Sequence, residues 1–239
     1  MRTHMREGCQ SFLVLSDSNN CEQNHKKILR NPSKLPSPVY LKLKRLLAER
    51  KQNTKQSTLC KQQLHDTCAY DTDLSVERKK LLLKNMQENQ KAIDKEIDSY
   101  IQEDASICKN YNLLTSIPGI GRIIALETIV LTENFTAISN PRKYACYIGI
   151  APFKKESGTS VRKKTGVSKK GFSEAKADLS IAVLSAITYN PAIRGYWIRK
   201  KKEKCGGIVL NAIKFKLVLR MFAVIKRGTP YVETDAYKN

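Results

Sequence analysis

Lys154-Lys155-Glu156-Ser157-Gly158 opens a polar stretch that runs to Gly171 and holds seven Lys/Arg. A serine hydroxyl attacks phosphorus only when it is deprotonated or held beside cations. Lys154, Lys155, Arg162, Lys163, Lys164, Lys169 and Lys170 put such charge around Ser157 in the sequence. Phosphoryl transfer asks mainly for positioning and for neutralisation of the equatorial oxygens. Gly158 lets backbone approach a phosphate closely. The same residues also suit an ordinary turn in a phosphate-binding loop. Residue types alone leave nucleophile and turn both open.

A second candidate lies upstream. Leu113-Leu-Thr-Ser-Ile-Pro118-Gly119-Ile120-Gly121-Arg122 precedes the apolar run Ile123–Leu131. The pattern is a short helix, a tight turn and a second helix, and it looks like a helix-hairpin-helix motif. Two glycines allow the turn, and amides at the start of the second helix point outward. Those donors and the positive helix end suit a DNA phosphate and read no bases. Pro118, Gly119, Gly121 and Arg122 are the expected contacts. The competing reading is a glycine-rich turn between two packed helices.

Charge placement agrees with an anionic partner. The 239 residues hold 43 Lys/Arg against 22 Asp/Glu, a net charge of +21. Residues 134–239 hold 22 basic and 6 acidic residues, so +16 of that excess lies there. A basic surface gathered on one part of a chain attracts a polyanion, nucleic acid first. No apolar stretch approaches the roughly 20 residues that span a bilayer. The charged stretch Met1 to Gln10 has no apolar core of a secretory signal. A membrane role is therefore not expected.

Seven cysteines form no Cys-x-x-Cys pair. Cys60, His65 and Cys68 cluster, but they lack a fourth ligand and zinc-site spacing. No metal site is assigned, and free thiols in a reducing cytoplasm are expected.

These candidates need elements to hold them. Residues 1–37 have no sustained period and read as an irregular leader. Residues 38–110 read as a coiled-coil hairpin or part of a larger bundle. Helices are expected over 39–64 and 74–104, with Leu82, Met86, Ile93, Ile97, Tyr100 and Ile101 on one side of the second. Residues 111–231 read as a helical domain containing the hairpin motif and the basic loop, and 232–239 as a tail. Asn140-Pro141 starts a helix that Gly149 ends. Further helices are expected over 173–189, 191–203 and 208–227, with Gly206-Gly207 separating the last two. The fold class is mainly α, and the basic loop is either a strand-turn-strand or an active-site loop.

The ordered set Ser116–Gly121, Asn140–Lys143, Pro152-Phe153, Ser157–Ser160, Val167–Lys169, Ala182–Ala186, Tyr189, Leu210–Ala212 and Arg220–Tyr231 resembles the C-terminal half of insertion sequence 110 family transposases. The resemblance covers about residues 38–231 and is strongest from 111 onward. It implies DNA transposition by strand transfer, with Ser157 as the nucleophile. It also implies Mg2+ held by a RuvC-like domain with four acidic residues. The implied partners are DNA, in some members a bridge RNA that guides target choice, and a second copy or a full-length transposase. The implied location is the bacterial cytoplasm, at the nucleoid.

Nothing before residue 38 resembles the acidic domain, so a truncated transposase is expected. Two functions follow: a strand-transfer module, or a DNA- or RNA-binding remnant that regulates a full-length enzyme without catalysis. Phe172 stands near a usual Asn of the family. Asp178 stands near an apolar position, where a carboxylate must be paired or protonated.

Overall fold

The computed structural model describes residues 36–66, 71–157, 161–167 and 171–232, and for 153–157 and 161–165 the backbone alone. The irregular leader up to residue 35, Cys68, Gly158, Lys169, Lys170 and the tail from residue 233 lie outside the described residues. The fold is mainly α, with eight helices and one two-stranded ribbon among the described residues.

Helix α1 (Pro38–His65) and helix α2 (Asp73–Glu103) run antiparallel as a hairpin. Pro38 sits in the first turn of α1, where its missing N–H costs nothing. The Thr72 hydroxyl caps α2 by accepting from the Ser75 amide at 3.3 Å. The base of the hairpin is apolar: Leu43 and Leu46 face Ile93, Ile97 and Ile101 and join one continuous core with the rest of the chain. Its far end is held by polar groups instead. Asn53 Nδ2 donates to the Met86 carbonyl at 2.8 Å and to Gln90 Oε1 at 3.1 Å. Buried Cys60 donates Sγ–H to the Lys79 carbonyl at 3.3 Å. The expected apolar side of α2 therefore stops early, and Leu82 faces solvent.

Helix α3 (Ala105–Thr115) starts where the Asp104 carboxylate accepts from the Ser106 and Ile107 amides. Helix α4 (Arg122–Thr132) is the centre of the core, buried at every residue from Ala125 to Thr132. It ends in Glu133, Asn134 and Phe135, all with positive φ (48°, 55° and 66°). Asn134 is pinned from both sides, accepting from Asn110 at 2.7 Å and donating to Ser106 at 2.8 Å. Such pinning offsets the cost of left-handed backbone without glycine.

Helix α5 (Pro141–Tyr147) is capped by Asn140, whose Oδ1 accepts from the Arg142 amide at 2.8 Å. Strands β1 (Pro152–Ser157) and β2 (Val161–Val167) form the antiparallel ribbon, with a bulge between Phe153 and Lys155. Helices α6 (Ser173–Tyr189), α7 (Pro191–Lys201) and α8 (Gly206–Arg227) complete the fold. Asn190 caps α7 as Asn140 caps α5, accepting from the Ile193 amide at 2.9 Å. Gly206 and Gly207 do not merely separate α7 from α8. They form the first turn of α8, which reaches past Phe222 along the core and ends at Gly228.

Candidate nucleic-acid interface

The ribbon has a close-packed root. Gly149 has φ +74°, and a Cβ on Gly171 would come within 2.5 Å of the Gly149 backbone. Only glycine permits that approach. The Phe172 amide donates to the Tyr147 carbonyl at 3.1 Å, and the two rings stack 6.3 Å apart at 10°. Burial pushes the Tyr147 phenol up to about 12, so it stays neutral. Asn211 on α8 donates to the Ile150 carbonyl at 2.7 Å. Both strands thus leave one fixed point. Phe172, rather than an Asn, stacks at that root.

Ser157 closes β1, and its backbone pairs with Val161. The register opposes Lys155 to Lys163 and Glu156 to Arg162. Lys154 and Lys164 lie on the same two strands. The basic stretch is therefore strand-turn-strand, and two strands hold the five basic candidates from Lys154 to Lys164 within one ribbon.

Pro118–Gly121 joins α3 to α4 as a tight turn, but its two glycines differ. Gly119 has φ +93°, and its missing Cβ would stand 2.7 Å from Ala186 Cβ and 2.9 Å from the Ala182 carbonyl oxygen. It serves the packing of this turn on α6. Gly121 is exposed, with nothing within 4 Å of its Cβ position, and it precedes α4 without a side-chain cap. The open amides of that helix end are the part of the turn that suits an anion. Arg122 is engaged elsewhere. Its guanidinium donates to the Asp94 carbonyl at 2.8 Å and pairs with Asp98 at 3.0 Å, tying α4 to α2.

The turn and the ribbon root are separate. Gly119 meets α6 at Ala182 and Ala186, whereas the root adjoins its first residue, Ser173. At 1.5 Å per residue, the two lie about 13–20 Å apart along the helix. That span is within one turn of a DNA duplex, about 34 Å.

Where α1, α4 and α6 meet sits a cluster whose members are far apart in the sequence. Lys51 Nζ lies 2.7 Å from Asp178, 3.2 Å from Glu127 and 3.3 Å from Glu174. The Asp178 contact is the shortest of the three. The carboxylate on a core face is thus paired across three helices. Burial works against the Lys51 charge, but the Asp178 and Glu127 carboxylates outweigh it and push the ammonium above its usual range. Burial pushes the Glu127 carboxyl up to about 7, against the pull of Lys51 and with the push of Asp178. The available signals were Glu127 inside an apolar run and Asp178 on an apolar face.

The Mg2+ that the resemblance implies does not fit the described residues. Glu127, Glu174 and Asp178 converge on an ammonium, which already occupies the place of a cation. No group of three or more His, Cys, Asp or Glu among the described residues could hold a metal ion. No described helix is long and apolar enough to cross a membrane.

Residues 111–197 match the family model described as "Transposase IS116/IS110/IS902 family". The match runs from α3 through the turn, the ribbon and its root into α7. Residues 111–197 are thus similar to the transposase domain of this family. Relatives of the domain include the "Pilin gene-inverting protein" of Moraxella lacunata, 29% identical over 122 residues, covering 50% of this chain and 38% of that protein. The protein of the same name from Moraxella bovis matches to the same extent. An "Insertion element IS110 uncharacterized 43.6 kDa protein" of Streptomyces coelicolor is 28% identical over 120 residues, 50% of this chain and 29% of the other. The chain thus spans less than half the length of these relatives. The matched region contains both candidate segments, the Gly121 helix end and the ribbon.

Proposed function

We propose that this chain acts in DNA transposition or a related inversion reaction, holding DNA on the ribbon and on the open amides at Gly121, with Ser157 as the nucleophile of strand transfer. The match of residues 111–197 to the transposase family carries the reading. The names of the relatives, a gene-inverting protein and an insertion-element protein, agree with it. In the step, the Ser157 oxygen bonds to phosphorus as the bond from phosphorus to one sugar oxygen breaks. The serine proton is lost and the leaving oxygen gains one. One phosphodiester replaces another, so the bond energy is retained for rejoining. The basic residues from Lys154 to Lys170 supply the charge that such a phosphate gathers. Partners under this reading are DNA, a guide RNA, and a second copy or a longer transposase that brings the acidic domain with Mg2+. The site of action is the bacterial nucleoid.

The test is to mix the chain with the acidic domain of a family member, DNA, guide RNA and Mg2+, and to map covalent DNA adducts by mass spectrometry. An adduct on Ser157 is expected, lost in Ser157→Ala while DNA binding persists. An adduct that survives in Ser157→Ala would move the nucleophile to another serine of the loop, with Ser160 next.

A further inference from the structure

The outer faces of α7 and α8 enclose a groove of about 630 Å³ that neither the ribbon nor the turn uses. Its polar lining is Arg199, Lys216, Arg220 and Arg227, with Tyr196 and Tyr231, and no carboxylate among the described residues lines it. Lys216, Arg220 and Arg227 share one side of α8 at spacings of four and seven, a basic stripe roughly 16 Å long. Ile193, Ile213 and Val224 supply an apolar floor.

The cations are arranged with the rings. Lys216 Nζ lies 4.5 Å from the Tyr196 ring centroid, and the Arg220 guanidinium carbon lies 5.4 Å from that of Tyr231. Tyr231 is itself fixed, since its amide donates to Ser116 Oγ at 2.8 Å. Arg220 Nη1 is shielded from water and has no hydrogen-bond partner among the described residues. A shielded guanidinium donor is costly until an acceptor reaches it.

We infer that this groove binds a single-stranded segment of nucleic acid, with phosphates on Lys216, Arg220 and Arg199 and a base against Tyr196. Four cations with no carboxylate among the described lining residues call for a polyanion. An apolar floor with tyrosines at its edges calls for bases, which stack on aromatic rings regardless of sequence. The volume suits roughly one or two nucleotides and excludes a duplex. The inference rests on the reading that the chain handles nucleic acid, and it adds a site distinct from the duplex-facing one.

Binding of labelled single-stranded DNA, single-stranded RNA, a duplex of the same sequence and free adenosine monophosphate tests it, by fluorescence anisotropy at one salt concentration. In Lys216→Gln/Arg220→Gln and in Tyr196→Leu, single-strand affinity should fall about tenfold or more, while duplex affinity changes less than about threefold. A strand carrying iodouracil should crosslink to Tyr196 on irradiation, which reports position without any variant. Tighter binding of RNA than DNA, or the reverse, would tell which strand the groove receives. Equal losses for strand and duplex, or a crosslink confined to the ribbon, would overturn the proposal. Adenosine monophosphate binding as tightly as the strand would overturn it in favour of a free nucleotide. Failure of duplex binding alone would instead strike the function proposed above and leave the groove standing.

Discussion

Lys51 Nζ, on the first helix of the hairpin, lies 2.7 Å from Oδ2 of Asp178 on α6. This pair joins the hairpin to the region similar to the transposase family, where an apolar residue would make no such link. Both partners are largely shielded, so removing one leaves a charge without compensation. Lys51→Met should therefore cost about 1–3 kcal/mol in urea denaturation. The double variant Lys51→Met/Asp178→Leu should recover part of that loss, the rest lying in Glu127, which has also lost its cation. A double variant as unstable as the single one would show that the pair does not couple the helices.

Glu127 sets a pH dependence. Its folded value of about 7 is above the ordinary 4.5, chiefly because it is buried. A group raised in this way favours the fold fully below 4.5, and that contribution is lost as pH rises through 7. The change amounts to about 3 kcal/mol. Thermal melts from pH 4.5 to 8 should show this fall on the alkaline side. Glu127→Gln keeps the shape without the titration and should flatten it. An identical slope in the variant would assign the dependence to other groups.

The two glycines of the turn should separate stability from binding. Gly119→Ala drives a Cβ into Ala186 and the Ala182 carbonyl from a positive-φ residue, and should cost about 1–3 kcal/mol in stability. Gly121→Val meets open space. It should cost less stability than Gly119→Ala, only what a poorer helix cap loses, about 1 kcal/mol or less, and weaken duplex binding by crowding the helix end. Replacing both together would confuse the two effects. Unchanged duplex affinity in Gly121→Val would assign the whole turn to packing.

Local signals were legible in the sequence. Asn140-Pro141 and Asn190-Pro191 are caps followed by a proline suited to the first turn, and each starts a helix as expected. Gly228-Thr229-Pro230 likewise ends α8. What sequence could not give depended on distant partners. Gly119 and Gly121 look alike until α6 packs on one of them. Arg122 reads as a phosphate contact until Asp94 and Asp98 arrive from α2. Asp178 looks misplaced until Lys51 meets it. The left-handed run Glu133–Phe135 has no glycine to announce it, because contacts of Asn134 with Asn110 and Ser106 sustain it. The basic loop suits either a ribbon or an irregular loop until Gly149 and Gly171 meet at backbone distance and fix its root.

Whether the basic part of this chain holds DNA is tested most directly by duplex affinity as a function of salt. The +16 balance over residues 134–239 implies that binding releases counterions from the DNA. With roughly six to ten phosphates contacted, affinity should fall about a thousandfold or more between about 50 and 200 mM salt, linearly on logarithmic axes and with little regard to sequence. A nearly flat titration, or no duplex binding at low salt, would contradict the account.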